Sequence, residues 1–153
     1  MKLKEKNYIQ MLRSYVGHSP LIMVTAGAII YKDEHILLQQ RKDNQMWAIH
    51  GGALELGESL EEALYREVKE ETNLEVTGYE LFKTYSGQSF MITYPNKDVV
   101  YLVDHIYVVK AFHGLMKPCM DEVLTLKWFH QDDLPWDMLM PHNQIVLKDF
   151  LKK

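Results

Sequence analysis

Residues 51–76 read GGALELGESLEEALYREVKEETNLEV and carry eight glutamates in what is otherwise the pattern of an amphipathic helix. Ser59 followed three residues later by Glu62 is a capping box, so the helix is expected to begin just after Ser59. At about 100° per residue, with Glu67 set to zero, Leu60, Ala63 and Leu64 fall within roughly 60° of it. Glu70 and Glu71 fall in the same arc. The stripe that is apolar in the first two turns thus becomes acidic in the last two without changing face. Glu62 and Arg66 lie toward the other side, at the i,i+4 spacing of a supporting ion pair.

A solvated helix face accounts for Glu61 and Glu62. It accounts poorly for Glu67, Glu70 and Glu71, which continue the face that the leucines turn to the core. Carboxylates so close raise one another's pKa and cost stability unless positive charge lies between them. Thiol-free oxygen ligation at i, i+3 and i+4 suits a hard cation such as Mg²⁺, which keeps several waters and is often completed by substrate phosphates. The acid is therefore expected to hold metal at the edge of the core.

In register, Gly52, Glu58, Arg66, Glu67, Val68, Glu70, Glu71 and Leu74 match the pattern G-x5-E-x7-R-E-U-x-E-E-x-G-U, with U aliphatic. By that pattern residues 52–74 resemble the Nudix hydrolase family, MutT-like. Asn73 stands where the family has glycine, at a helix end that needs a left-handed backbone, which asparagine tolerates. WAIHGG resembles the family's W-x-x-P-G-G, with His50 in place of proline.

The resemblance implies the Nudix fold and Mg²⁺-dependent hydrolysis, Mn²⁺ able to substitute, of a pyrophosphate bond in a nucleoside diphosphate linked to another moiety. It implies that Glu67, Glu70 and Glu71 bind metal, helped by the backbone carbonyl of Gly51, while Glu58 and Arg66 pair to fix the loop against the helix. The base stays open between Glu67 and a glutamate from a later loop. For the latter, Glu122 in CMDEVLTLKWF is the candidate, weighed against a solvent-exposed turn. Arg41, at the end of a strand, is a candidate phosphate contact. Trp47, Tyr85, Tyr94 and Tyr101 could stack on a base, although aromatics in a β-rich chain are more often core. His50, His105 and His142 lack ligand spacing and read as structural.

Elements that could position these residues are legible along the chain. Residues 4–13 suggest a short helix ending near Gly17 and Pro20. Residues 23–31 and 35–41 read as strands joined at Lys32-Asp33-Glu34, with short extended pieces around the glycine pair. Further strands are expected at 75–85, 90–94, 99–112 and 124–130, with a turn at YPNKD, and a closing helix near Pro141. This order suggests an α+β fold, a mixed β-sheet covered by helices in a three-layer α/β/α sandwich.

The chain has 153 residues, 47% hydrophobic and 25% charged, which suits one domain over residues 1–153. The longest apolar run, residues 21–30, falls short of the roughly 20 needed to span a bilayer, so no membrane partner is expected. MKLKEKNYIQ mixes charge where a signal peptide is apolar, and Cys119 is the single cysteine, so a cytoplasmic location is expected. A net charge of -4 argues against a nucleic-acid partner. The expected partner is a nucleotide-derived small molecule, and the aromatic and methionine content would permit a homodimer. Two other classes compete with the enzyme. A non-catalytic Nudix-fold sensor module would often have lost a motif glutamate, and this chain has lost none. A purely structural interaction domain would leave the acidic stripe unexplained.

Overall fold

The computed structural model describes residues 7–152. Three helices and eight strands follow in the order α1 (Tyr8–Val16), β1 (Leu21–Lys32), β2 (His35–Arg41), β3 (Trp47–Ala48), β4 (His50–Ala53), α2 (Leu60–Thr72), β5 (Glu75–Tyr85), β6 (Met91–Thr93), β7 (Val99–His113), β8 (Val123–His130) and α3 (Pro141–Leu151). The N-terminal helix expected over residues 4–13 lies one turn further on, and residues 4–6 fall outside the described chain. Gly17 closes it, its N–H donating to the Arg13 carbonyl at 2.9 Å. The first hairpin is tighter than expected. β1 runs through Lys32, which pairs with His35, and the turn is reduced to Asp33 and Glu34, both at positive φ, as a two-residue hairpin requires.

β1 and β7 form the centre, parallel and in unbroken register from Leu21↔Val100 to Ile30↔Val109. The remaining pairings are antiparallel: β5 and β6 on β7, β2 and β4 on β1, and β3 and β8 on β2. A parallel pair is stable when both of its faces are covered, and β1 is buried without interruption from Thr25 to Ile30. Strand alternation divides its side chains between two cores. Ala26, Ala28 and Ile30 pack with Ala63, Leu64 and Val68 of α2. Met23 and Ile29 face the opposite way, with Val146, Leu147 and Phe150 of α3. The result is a mixed sheet between helical layers, as the order of elements implied. Among the described residues no helix is long and apolar enough to cross a membrane.

Caps set the phase of α2. Ser59 Oγ accepts the Glu62 N–H at 3.1 Å, an interaction worth about 1 kcal/mol. The return bond of a capping box forms instead in α1, between Asn7 and Gln10. Asn73 closes α2 in the left-handed region at φ 66°, ψ 7°, so the residue standing in place of glycine adopts the backbone that the position demands.

Candidate active site

Fixing α2 at Ser59 and packing Ala63, Leu64 and Val68 on the sheet leaves its acidic stripe at the sheet's edge beside β4. The three glutamates meet different surroundings there. The Glu71 side chain is 8% exposed and that of Glu67 13%, whereas Glu70 is 57% exposed. The acidic continuation of the apolar face therefore dips into the core at two positions and opens to solvent at the third.

Arg66 organises the outer part. Its Nε and Nη2 donate to Glu58 Oε2 and Oε1 at 2.7 and 2.9 Å, a bidentate pair, and Nη2 also donates to the Ala53 carbonyl at 3.0 Å. Nη1 donates to Glu67 Oε1 at 2.7 Å and reaches Glu70 Oε2 at 3.5 Å. The expected Arg66–Glu62 pair does not form, because the guanidinium is drawn across the loop to the less exposed Glu58 and Glu67. Its hydrogen bond to Glu58 raises the Arg66 pKa and holds the Glu58 carboxyl below the usual range. Burial and then the like charge of Glu71 push Glu67 up to about 7, in spite of Arg66.

Glu71 is held by neutral donors. Oε1 accepts the Gly51 N–H at 2.9 Å and Oε2 accepts Gln39 Nε2 at 3.1 Å. His50 is fully buried, with Nε2 3.2 Å from the Leu37 carbonyl and Nδ1 3.5 Å from Glu71 Oε1. A carbonyl can only accept, so Nε2 carries the proton and Nδ1 is left with no hydrogen bond. Gly51 admits this arrangement because a Cβ there would stand 2.4 Å from the Ala26 carbonyl oxygen. At Gly52 a Cβ would lie 2.4 Å from Glu67 Oε1, so its absence leaves a cradle that the Glu67 carboxylate occupies.

Three neighbouring hollows that share lining residues surround these groups. A groove is lined by Glu67, Glu70, Arg66, Glu122, Tyr94 and Arg13. A recess beside it is lined by Glu71, Glu122, Asp121, Lys42, Arg41 and Gln39. A cavity lies between the sheet and the start of α3, with Thr25, Asp104, Arg41, Tyr94, His142 and Asn143 in its wall. Glu122 thus faces all three motif glutamates across two hollows, its strand end tied to β2 by the Lys42 N–H to Glu122 carbonyl bond of 3.0 Å. Arg41 and Tyr94 meet at the junction, the guanidinium 5.9 Å from the ring centre, with Arg41 also held bidentate by Asp43 at 3.0 and 2.8 Å. Trp47 is the exception among the proposed substrate contacts. Its ring lies edge-on to Phe129 at 4.9 Å, in the packing against β8, and does not line the cavity. Tyr85 stacks on Phe90 and donates to Asp149, again as packing.

The donors and acceptors fit a divalent cation. They are hard carboxylate oxygens, the charge of Glu71 raising the proton affinity of Glu67, beside a cradle cleared by glycine. Among the described residues no three His, Cys, Asp or Glu side chains converge closely enough to enclose an ion. The carboxylates are instead satisfied one by one, Glu67 and Glu70 by Arg66 and Glu71 by Gly51 and Gln39.

Sequence reasoning missed Gln39, Thr25 and Asp104. The aspartate was visible as a lone charge in the apolar strand VVYLVDHIYVV. Burial pushes Asp104 up to about 6 and His142 down to about 4. The signs differ. Stability from a protonated Asp104 is present below its ordinary 3.8 and is lost as pH rises through 6, whereas that from a neutral His142 is present above 6.5 and is lost as pH falls toward 4. Asp104→Asn removes the first contribution alone. The variant's melting temperature, compared with the parent's, should gain from pH 4 and level off above about pH 6; a constant offset would show that Asp104 does not titrate in this window.

A family model described as the NUDIX domain matches residues 21–150. The NAD-capped RNA hydrolase NudC of Vibrio vulnificus (strain CMCP6) is 34% identical over 122 residues, covering 77% of this chain and 42% of that protein. The ADP-ribose pyrophosphatase of Methanocaldococcus jannaschii is 30% identical, covering 99% of this chain and 83% of that protein. The crystal structure of a MutT NUDIX hydrolase from Burkholderia pseudomallei matches with a TM-score of 0.72 at 29% identity, covering 83% and 96% of the two chains. The chain spans less than half the length of the NAD-capped RNA hydrolases it matches.

Proposed function

The chain belongs to the NUDIX family, and from that premise we propose that it is a Mg²⁺-dependent hydrolase of a pyrophosphate bond in a nucleoside diphosphate linked to another moiety. The products are a nucleoside monophosphate and a phosphorylated remainder. The observation that carries the reading is the acidic end of α2, where Glu67, Glu70 and Glu71 border the same hollows as Glu122, beside a cavity walled by Arg41, Tyr94 and Asp104.

Glu67, Glu70, Glu71 and the Gly51 carbonyl would hold the divalent ion. When bound, the ion lowers the pKa of water and screens the charge of phosphoanhydride oxygens. The protein's own groups do the rest. Arg66 and Glu58 clamp the end of β4 and the loop after it to the helix that carries Glu67, which keeps the carboxylate aimed. Arg41 and Tyr94, at the mouth of the cavity, face the phosphates and the attached group. Glu122, across the groove from Glu67 and Glu70, accepts the proton of the attacking water or adds a carboxylate to the metal site. Two carboxylate candidates for the base, Glu67 and Glu122, therefore flank one groove.

The direct test is cleavage of a panel of nucleoside diphosphate derivatives and nucleoside triphosphates with Mg²⁺, with Mn²⁺ and with EDTA. Metal-dependent release of a nucleoside monophosphate from one compound well above the others supports the reading. No cleavage across the panel by folded protein that binds metal would point to a ligand-sensing module instead. Gly52→Ala tests the cradle. The new methyl meets the far end of a flexible side chain, so the fold survives while Glu67 is pushed aside. kcat should fall by about 10² or more, with the melting temperature little changed, since a misplacement of about 1 Å costs on that order. A variant as active as the parent would place the Glu67 carboxylate outside the reaction.

A further inference from the structure

Asp104 has a place in the fold that the proposed hydrolysis does not use. It lies at the middle of β7, paired with Thr25 of β1 and Tyr85 of β5, and is 5% exposed. Strand alternation sets it on the same face as Leu102 and Ile106, and it forms part of the wall of the cavity. Its Oδ1 accepts the Thr25 hydroxyl at 2.8 Å. Among the described residues that is its single hydrogen bond, and no lysine or arginine adds to the stability of its charge. A buried carboxylate without a cation is costly unless donors reach it. Here one oxygen keeps a spare lone pair and the other keeps both, side by side at a cavity wall.

We infer that Asp104 is the specificity-determining residue of this cavity and accepts paired N–H donors from the edge of a guanine base. The inference rests on the nucleotide reading of the same site. Two adjacent acceptors call for two adjacent donors. Guanine offers a ring N1–H beside its exocyclic amine. Adenine and cytosine set an amine beside a ring nitrogen lone pair, which would point at a carboxylate oxygen. Uracil flanks its one N–H with carbonyls. Asn143 supports the same orientation. Its Oδ1 is taken by the Ile49 N–H at 3.0 Å, which leaves Nδ2 as a donor in the cavity wall for a base carbonyl such as guanine O6.

Equilibrium binding of guanosine, inosine and adenosine 5′-monophosphates to the wild-type protein and to Asp104→Asn, by calorimetry, tests this. Inosine monophosphate differs from the guanosine compound only by the exocyclic amine, so the wild-type comparison needs no variant. The wild type should prefer guanosine over inosine monophosphate by about 10-fold or more, with adenosine monophosphate weakest. In Asp104→Asn the carboxamide presents one acceptor and one donor, the complement of adenine, so the order between guanine and adenine should reverse. Equal binding of the three by the wild type, or an unaltered preference in a variant that melts cooperatively, overturns the inference and leaves the nucleotide reading standing. Failure of the wild type to bind any of them, together with no metal-dependent cleavage in the panel, overturns both.

Discussion

Glu70→Gln is expected to lower kcat by on the order of 10³-fold while leaving stability within about 0.5 kcal/mol of the parent. Glu70 is the discriminating position because its side chain is 57% exposed and, among the described residues, its one ion pair is a 3.5 Å approach of Arg66. Nothing in the packing of α2 depends on it. If the acidic stripe were only a solvated helix face, the variant would turn over like the parent. Glu71→Gln should abolish turnover as well, but with a second effect. Its carboxylate accepts from the Gly51 N–H and from Gln39 Nε2, and a carboxamide must set its own NH₂ against one of those donors. Leaving a buried donor unmatched costs about 1–3 kcal/mol, so this variant should also melt earlier. Initial rates with saturating Mg²⁺, read beside thermal unfolding, separate the two. A Glu70→Gln enzyme with parental kcat would remove the metal role from the reading.

The second large effect is on stability. Arg66→Met keeps most of the aliphatic stem and removes the guanidinium that serves Glu58, Glu67 and the Ala53 carbonyl together. Glu58 and Glu67 are only 12% and 13% exposed, so both would be left poorly hydrated and without a cation. Breaking a buried pair costs roughly 3–5 kcal/mol, and the 28% exposure of Arg66 argues for the lower end, about 3 kcal/mol. For a chain of this size that is a fall of roughly 10 °C in melting temperature. The deficit should be pH-dependent. Arg66 holds the Glu58 carboxyl below its ordinary 4.5, so the stability it contributes is full above that value and is lost as pH falls through the depressed one. Parent and variant should therefore converge in acid. Denaturant unfolding of both proteins at pH 7 and pH 3 measures this, and a difference below about 1 kcal/mol at neutral pH would reduce the network to a surface feature.

Most of α2 could be read from the chain because it depends on local physics. The 3.6-residue period put Glu67, Glu70 and Glu71 on one arc, Ser59 marked the start, and Asn73 marked an end that needs a left-handed residue. Strand positions were legible for the same reason, since alternation and turn chemistry act over a few residues. Partner choice was not. The i,i+4 rule offered Arg66 the nearer Glu62, yet the loop folds back and brings Glu58 from eight residues away. Periodicity gave the three glutamates equal standing, while the packing of β4 against α2 buried Glu71, half-buried Glu67 and left Glu70 open.

What the sequence determined by itself is the chemistry available: three carboxylates at helical spacing, a loop glutamate and arginine to brace them, and a mixed sheet to carry them. Only the tertiary structure decided which other groups join. Gln39 reaches Glu71 across 32 residues of chain and Thr25 reaches Asp104 across 79. The second contact exists because β1 pairs with β7, a pairing set by which faces must be covered and by no signal within either strand. Trp47 shows the same limit from the other side. Its aromatic ring suited a base, and the choice between stacking on a ligand and packing on Phe129 was made by β8, about 80 residues later.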